Sequence, residues 1–397
     1  MRKRRLGLSI RLATLALVAV TAMPGAAGAQ NLVLGYSASN TGPYATQAKR
    51  NGVAIEIAVE EINAAGGING KKIEMQTFDT GGKPEQAVVA VQHFAQDVNA
   101  LAVVGPFSSS ECRVAFPVGE RLGITQMSMA SSAPKVAAPF TYAFRNSANE
   151  NYTWERMMRT IERKNVPHAS AAIAYATDDA ISQALGTGVI PERIKAANIP
   201  IVETVNFRVA AFDFSAQVSQ MMQKPSDLIG VGAPPDTFLR LLAELRRQGD
   251  KGRILGGSNI ADVDLPERMG PNGDGTLVGA TFYSGRDDAR TKKFVEKFKE
   301  KLKAKGEAVI DPSQFDAAAY DIVYMYADAM KKTKATGDAT KIAAERQAIR
   351  DQIKALKAYP ALVGSLSMGP DNDMIKPIYI LEAKANKWTL LDTHPAE

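Results

Sequence analysis

Apolar and polar positions along the chain follow two rhythms, short apolar runs and longer stretches with apolar residues every three or four positions. Asn31 to Ser37, Lys72 to Phe78, Leu101 to Val104 and Ile124 to Met127 read as strands. The stretches between them read as helices. One runs to about Ala64 with Val53, Ile57, Ala58 and Ile62 on a single face and Gly66-Gly67 as its stop. Pro84 opens a second, with Ala87, Val88, Val91 and Phe94 inward. A third starts at Ser108 and carries Val114, Pro117, Val118 and Leu122. Strand, helix, strand in this order predicts parallel pairing and a doubly wound α/β domain.

The pattern then restarts. Tyr142 to Asn146 reads as a crossing strand and Tyr152 to Lys164 as a helix. Ala171 to Ala176, Ile201 to Phe207, Leu228 to Val231 and Ile254 to Leu255 read as strands. The intervening helices are Gln183 to Ala196, interrupted near Pro191, Phe212 to Met222, and one carrying Phe238, Leu241, Leu242 and Leu245. Leu277 to Tyr283 reads as extended, and helices follow with Phe294, Val295, Phe298 and Leu302 inward, then over Phe315 to Met330 and Ile342 to Leu356. The lysines from Lys292 to Lys305 read as a solvated helix face. Leu362 to Met368, Ile375 to Leu381 and Trp388 to Leu391 are late strands. These late pieces exceed what a second array needs, so some must return to the first.

Hydroxyls gather where the strands end. Ser108-Ser109-Ser110 follows Leu101 to Val104, and Ser128 and Ser131-Ser132 follow Ile124 to Met127. Ligands of open α/β sheets bind at that edge, where helix N-termini suit an anion. The serines either cap helices or add donors to an anion site. Asp178-Asp179, at another strand end, is either a cap or a ligand hydrogen-bonding group.

Composition and charge narrow the function. The chain has 397 residues, enough for two domains, and a formal charge of +6. Five of those charges are Arg2, Lys3, Arg4, Arg5 and Arg11, and no acid precedes residue 30. The remainder is nearly neutral and offers no basic field for nucleic acid. The basic start, the apolar run Leu12 to Val20 and the small end Ala27-Gly28-Ala29 form a signal peptide over residues 1–29, cleaved after Ala29. The expected location is therefore outside the cytoplasm, in the periplasm. Cys112 is the single cysteine, so no intrachain disulfide forms, and it reads as a small core residue. His93, His168 and His394 are scattered without ligand spacing, and neither a metal site nor a cofactor is expected. Gly66-Gly67-Ile68-Asn69-Gly70-Lys71 lacks phosphate-loop spacing, with Lys72 where a hydroxyl is needed. No nucleophile–base pattern marks an enzyme.

Asn40-Thr41-Gly42-Pro43 and the run from Glu60-Glu61-Ile62-Asn63 through Gly70-Lys71 resemble the opening of periplasmic solute-binding proteins of the branched-chain amino acid type. Ser108 to Ser110, Ala130 to Pro134 and Phe212-Asp213-Phe214-Ser215 resemble further segments of that family, and the likeness covers nearly all of the mature chain. The resemblance implies two doubly wound lobes joined by a three-crossover hinge, with no covalent chemistry. It places the crossings near Asn146, Ala280 and Met374, giving lobes of 30–146 plus 280–374 and 147–279 plus 375–397. It implies a monomer that captures a small carboxylate-bearing ligand, an amino acid or an aromatic or other organic acid, and hands it to the permease subunits of an ABC importer. A module that reports a solute to a receptor is the alternative, and a secreted hydrolase a remoter one. By the same resemblance Ser109 and Ser132 hold a carboxylate and the Ala130 carbonyl accepts from an ammonium, with Ser108 and Ser131 beside them. Tyr44, Phe107 and Phe315 supply apolar wall, and Pro234 sits at a further strand end. The family's second-lobe acid corresponds here to Ser258, and an expected aromatic to Ile181, with Asp179 as a replacement acid. Without that acid, an organic acid suits the site better than an amino acid.

Overall fold

The computed structural model describes residues 31–147, 149–308 and 310–396, so the signal peptide lies outside the described residues. The first array comprises β1 (Leu32–Ala38), α1 (Ala45–Ala64), β2 (Ile73–Asp79), α2 (Pro84–Gln92), β3 (Ala102–Val104), α3 (Ser109–Leu122), β4 (Thr125–Ser128) and β5 (Ala143–Arg145). Its strands form a parallel sheet in the order β2-β1-β3-β4-β5. The order reverses between β1 and β3, which opens a crevice at their carboxyl ends.

The chain then enters a second sheet. It adds α4 (Glu150–Arg163), β6 (Ala171–Ala176), α5 (Ala180–Ala184), α6 (Ile190–Ala196), β7 (Ile201–Phe207), α7 (Ser215–Met222), β8 (Leu228–Gly232), α8 (Pro235–Arg247), β9 (Arg253–Gly256), α9 (Leu265–Met269) and β10 (Leu277–Ala280). It returns to the first array for α10 (Ala289–Ala304), α11 (Gln314–Thr333) and α12 (Ile342–Lys354). Three short antiparallel strands follow, β11 (Tyr359–Ala361), β12 (Gly364–Met368) and β13 (Met374–Ile375). The last two strands, β14 (Ile378–Lys384) and β15 (Lys387–His394), complete a seven-stranded sheet, β15-β14-β10-β9-β8-β6-β7. The chain is thus an α/β protein of two doubly wound lobes.

Strands covered on both faces need apolar side chains on both, and the cores show it. In β6, Ile173 faces one cluster with Trp154, Met157 and Ile380, while Ala172 and Ala174 face another with Phe238, Leu241 and Ile254. Leu32, Leu34 and Val104 pack under α1 and α11, whereas Val103 faces Phe94, Ala115 and Ile124 on the opposite side of the first sheet. Cys112 is buried in the core, and burial pushes its thiol up to about 12.

Several elements differ from the periodic reading. Ile375 to Leu381 is not one strand: β13 pairs with β12, and β14 pairs with β10 in the other sheet. Pro377 stands between them without an N–H, and Lys376 donates to the Asn146 carbonyl at 2.6 Å. Leu362 to Met368 is likewise a hairpin turn plus β12. The helix around Pro191 starts earlier, at Ala180, and passes through a wide turn at Leu185–Val189 before α6. Phe212 lies outside its helix and is 84% exposed beneath Arg240, because Asp213 accepts the Ser215 N–H at 2.8 Å and starts α7 later. The lysine face of α10 is only partly solvated. Lys297 pairs with Glu61, and Lys301 with Glu60 at 2.7 Å and Glu56 at 3.0 Å, which zips α10 onto α1. Among the described residues no helix is long and apolar enough to cross a membrane.

Candidate functional site

The two serine loops meet at the carboxyl ends of β3 and β4. Gly105 makes this possible: its φ is +109°, and a Cβ there would lie 2.7 Å from the Ser37 carbonyl. Ser108 N-caps α3 in a capping box, accepting the Glu111 N–H at 3.2 Å while the Glu111 carboxylate accepts the Ser108 N–H at 3.0 Å. The same carboxylate accepts the hydroxyls of Ser39 at 3.1 Å and Thr80 at 2.5 Å, so the ends of β1 and β2 are tied to α3. The Ser109 hydroxyl lies 3.0 Å from that of Ser131 and accepts the Ala133 N–H at 3.2 Å, locking one loop to the other. Arg145, fully buried, donates to the Ser131 carbonyl at 3.2 Å and grips Asp373 through two bonds. Ser132 differs from its neighbours: its buried hydroxyl makes no hydrogen bond of ordinary geometry, and the group near it is the Glu150 carboxyl.

A narrow, nearly filled cavity of about 10 Å³ opens beside these loops. Tyr44, Phe107, Ser108, Ser109, Ala130, Ser132 and Phe315, all expected from the sequence, line it. Gln47, Ile181 and Asn259 complete the lining, of which Gln47 and Asn259 carry no sequence signal beyond their places on α1 and after β9. The rings of Tyr44 and Phe107 stand 5.4 Å apart, and those of Phe107 and Phe315 5.7 Å apart, making an aromatic wall. Around it Tyr44 Oη, Gln47 Oε1, Ser132 Oγ and Asn259 Oδ1 are buried without a hydrogen bond of ordinary geometry, although Tyr44 lies near the Asn259 amide and Ser132 near the Glu150 carboxyl. Buried polar groups are rarely left so, and a cluster of them around one cavity marks where a ligand's polar groups fit.

The other expected residues are held elsewhere. Ser131 is committed to Ser109, and Pro234 is the buried cap of α8. Asp179 caps α5, accepting the Ser182 N–H at 3.0 Å and its hydroxyl at 2.6 Å. Ser258 donates its hydroxyl to Glu150 at 2.5 Å and its N–H at 2.8 Å. Glu150, at the start of α4, therefore brings a carboxylate to the position where the family resemblance gave only a hydroxyl. It is fully buried, its Oε2 has no partner, and burial pushes it up to about 7, offset by Ser258, Ser132 and Arg145. Glu150 escaped notice because its neighbour Ser258 lies over a hundred residues away and only the tertiary fold joins them.

The cleft is closed by contacts between the two sheets' elements. Gln47 Nε2 donates to the Asn259 carbonyl at 3.2 Å, Gln314 Nε2 to the Ser258 carbonyl at 2.7 Å, and the Ala180 N–H to Ser110 Oγ at 3.2 Å. Arg50 of α1 pairs with Asp262 and lies 4.0 Å from Asp264, beyond β9. A larger groove of about 60 Å³ lies along the crossings, between Asn149, Tyr152, Asp373 and Lys376. Its polar groups are already paired, Asn149 with Asp373 at 3.1 Å and Lys376 with the Asn146 carbonyl, so the smaller cavity is the better ligand site. Among the described residues no cluster of His, Cys, Asp or Glu is arranged to hold a metal ion.

A two-lobed α/β clamp with its cavity at both sheets' carboxyl ends is the architecture of extracytoplasmic solute-binding proteins. Residues 32–387 match the model of the periplasmic binding protein family, and the chain belongs to that family. It is 26% identical to the Leu/Ile/Val-binding protein homolog 1 of Brucella melitensis over 92% of this chain and 93% of that protein. It is also 26% identical to the Leu/Ile/Val-binding protein of Citrobacter freundii, over 60% of this chain and only 64% of that relative's length. The substrate-binding protein LivJ of Streptococcus pneumoniae, solved with isoleucine, superposes with a TM-score of 0.80 at 20% identity, covering 92% of this chain and 99% of that one. A solute-binding protein of Rhodopseudomonas palustris BisB5, solved with 3,4-dihydroxybenzoic acid, superposes at 0.77 and 20% identity, covering 92% and 98%.

Proposed function

We propose that this protein captures a small carboxylate-bearing ligand between its lobes outside the cytoplasm and delivers it, unchanged, to the permease subunits of an ABC importer. The observation that carries this reading is the buried hydroxyl of Ser132, without a hydrogen bond of ordinary geometry, in a loop locked to the start of α3 beside a cavity shared by both sheets. A ligand carboxylate would accept from that hydroxyl and from the helix N-terminus next to it. Relatives with amino acids and with an aromatic acid in their solved structures support the same class of cargo. The lobes would comprise 30–146 plus 280–374 and 147–279 plus 375–397, moving about the three crossings as a hinge. Binding without turnover fits the site, whose serines have no histidine beside them: His168 bonds the Val166 carbonyl, and His394 lies by Thr160.

Mass spectrometry of small molecules released from the denatured protein tests this directly. A stoichiometric carboxylic acid is the expected finding. Thermal-shift titration of that acid should then stabilise the protein, and recovery of a cargo lacking any carboxylate would overturn the reading.

A further inference from the structure

One buried carboxyl beside the cavity has no part in the capture described so far. Glu150 opens α4, just past the crossing from the first sheet. Its backbone N–H donates to the Ser132 carbonyl at 3.1 Å, which fixes it against the second serine loop. Its Oε1 accepts the Ser258 N–H at 2.8 Å and the Ser258 hydroxyl at 2.5 Å. The carboxyl also adjoins the Ser132 hydroxyl, and its Oε2 makes no hydrogen bond of ordinary geometry. Glu150 and Ser132 are 0% and 1% exposed. Arg145 of β5, the cation that favours an ionised Glu150, already carries Asp373 on two bonds. Of the further ionisable groups on elements packed about the cavity, Glu111 caps α3, Asp179 caps α5, and Lys376 beyond β13 donates to the Asn146 carbonyl.

A serine hydroxyl has one proton to donate. An ionised Glu150 only accepts, so the Ser132 proton turns to it and the hydroxyl's lone pairs face the cavity. A cargo carboxylate then meets those lone pairs with a buried negative charge behind them. A protonated Glu150 donates its own O–H to Ser132 Oγ, and the Ser132 proton is free for the cargo. Resting on the reading that the cargo is a small carboxylic acid, we propose that Glu150 holds a proton from solvent whenever a carboxylate seats against Ser132, so that capture is tied to proton uptake and weakens as pH rises. Burial pushes Glu150 up to about 7 before any cargo arrives, and a second negative charge beside it pushes in the same direction. Glu150 is thus a positioning residue that acts through Ser132, and its proton leaves with the cargo.

The test is calorimetric titration of benzoate, 4-methylpentanoate and isoleucine into the mature protein, and the tightest binder decides. Heats compared in phosphate and in Tris should show uptake of about half a proton per site at pH 7, rising towards one near pH 8. The dissociation constant should rise about tenfold or more between pH 6 and 8.5. The amide of Glu150→Gln donates to Ser132 as the protonated carboxyl does. That variant should bind within about threefold of wild type at pH 6, take up no proton, and change about threefold or less by pH 8.5. No uptake by wild type overturns the inference, and so does proton release, the sign an ammonium held by an ionised Glu150 would give. A pH dependence carried intact into Glu150→Gln also overturns it and assigns the effect to another group, Lys376 first. The carboxylate reading is judged by Ser132→Ala at pH 6. Binding about tenfold weaker in that variant, with no uptake by wild type, leaves the carboxylate reading standing and removes only the proton link. Unchanged binding in Ser132→Ala removes both, as does absence of binding by all three acids.

Discussion

Ser109 and Ser132 look alike in the sequence and differ in what their hydroxyls do. Ser109 holds Ser131 and the Ala133 N–H, while Ser132 makes no hydrogen bond of ordinary geometry and only adjoins Glu150. Ser132→Ala should therefore weaken a carboxylate ligand about tenfold, a hydrogen bond to charge being worth roughly 1.5–3 kcal/mol, and leave unfolding unchanged. Ser109→Ala should lower stability by about 1 kcal/mol as well. Parallel calorimetric titration and urea unfolding would show this, and equal stability loss in both variants would contradict the distinction. Glu150 gives a second residue-scale test. Unfolded, it ionises near 4.5; folded, burial raises it to about 7. The folded state holds a proton that the unfolded chain releases, so this group's contribution declines as pH rises from about 4.5 through 7. Asp316 and Asp321, each pushed by burial to about 6, tilt the same way. In Glu150→Gln their share remains and Glu150's share goes, so unfolding free energy should fall less steeply over that window. Superimposable pH profiles for the two proteins would show that Glu150 is not held protonated.

At the scale of elements, the serine loops owe their positions to one carboxylate. Glu111 caps α3 through Ser108 and binds Ser39 and Thr80 from the ends of β1 and β2. Glu111→Ala takes the carboxylate acceptor from the Ser39 hydroxyl and the Ser108 N–H and leaves the Thr80 hydroxyl only the Ala38 carbonyl at 2.8 Å. Chemical unfolding should show a loss of about 3 kcal/mol or more, with weaker ligand binding because Ser109 and Ser132 lose their frame. A loss below about 1 kcal/mol would mean that the loop holds itself. The strands, the first helices and the α/β class were legible because buried strands and amphipathic helices have distinct periods. The split of Ile375 to Leu381 was not, since both halves are apolar and only their different partner strands separate them.

For the whole molecule, the closed cleft contains a buried ion pair between Arg50 and Asp262. Opening returns both charges to water, so the pair by itself stabilises closure little. Removing one partner is different, because the closed form then buries a lone charge while the open form does not. Arg50→Met should weaken all cargo acids by a similar factor, about tenfold or more, without altering selectivity. Small-angle scattering at a saturating concentration for wild type should show the variant with a larger radius of gyration. Arg50→Met combined with Asp262→Leu should recover much of the loss. Unchanged scattering and affinity in the single variant would show that the pair takes no part in closure.

The sequence by itself determined two α/β arrays, the hydroxyl-rich strand ends and most of the cavity wall. Each of these is local, written in periodicity or in a strand's last residues. Tertiary structure decided that Ser109 is tied to Ser131 across the two loops and that Glu150 stands beside Ser258. It also decided that Gln47 and Asn259 line one cavity. Glu150 and Ser258, like Gln47 and Asn259, are more than a hundred residues apart in the chain, their distances are set by how two sheets pack and close, and a one-dimensional pattern carries no record of that packing.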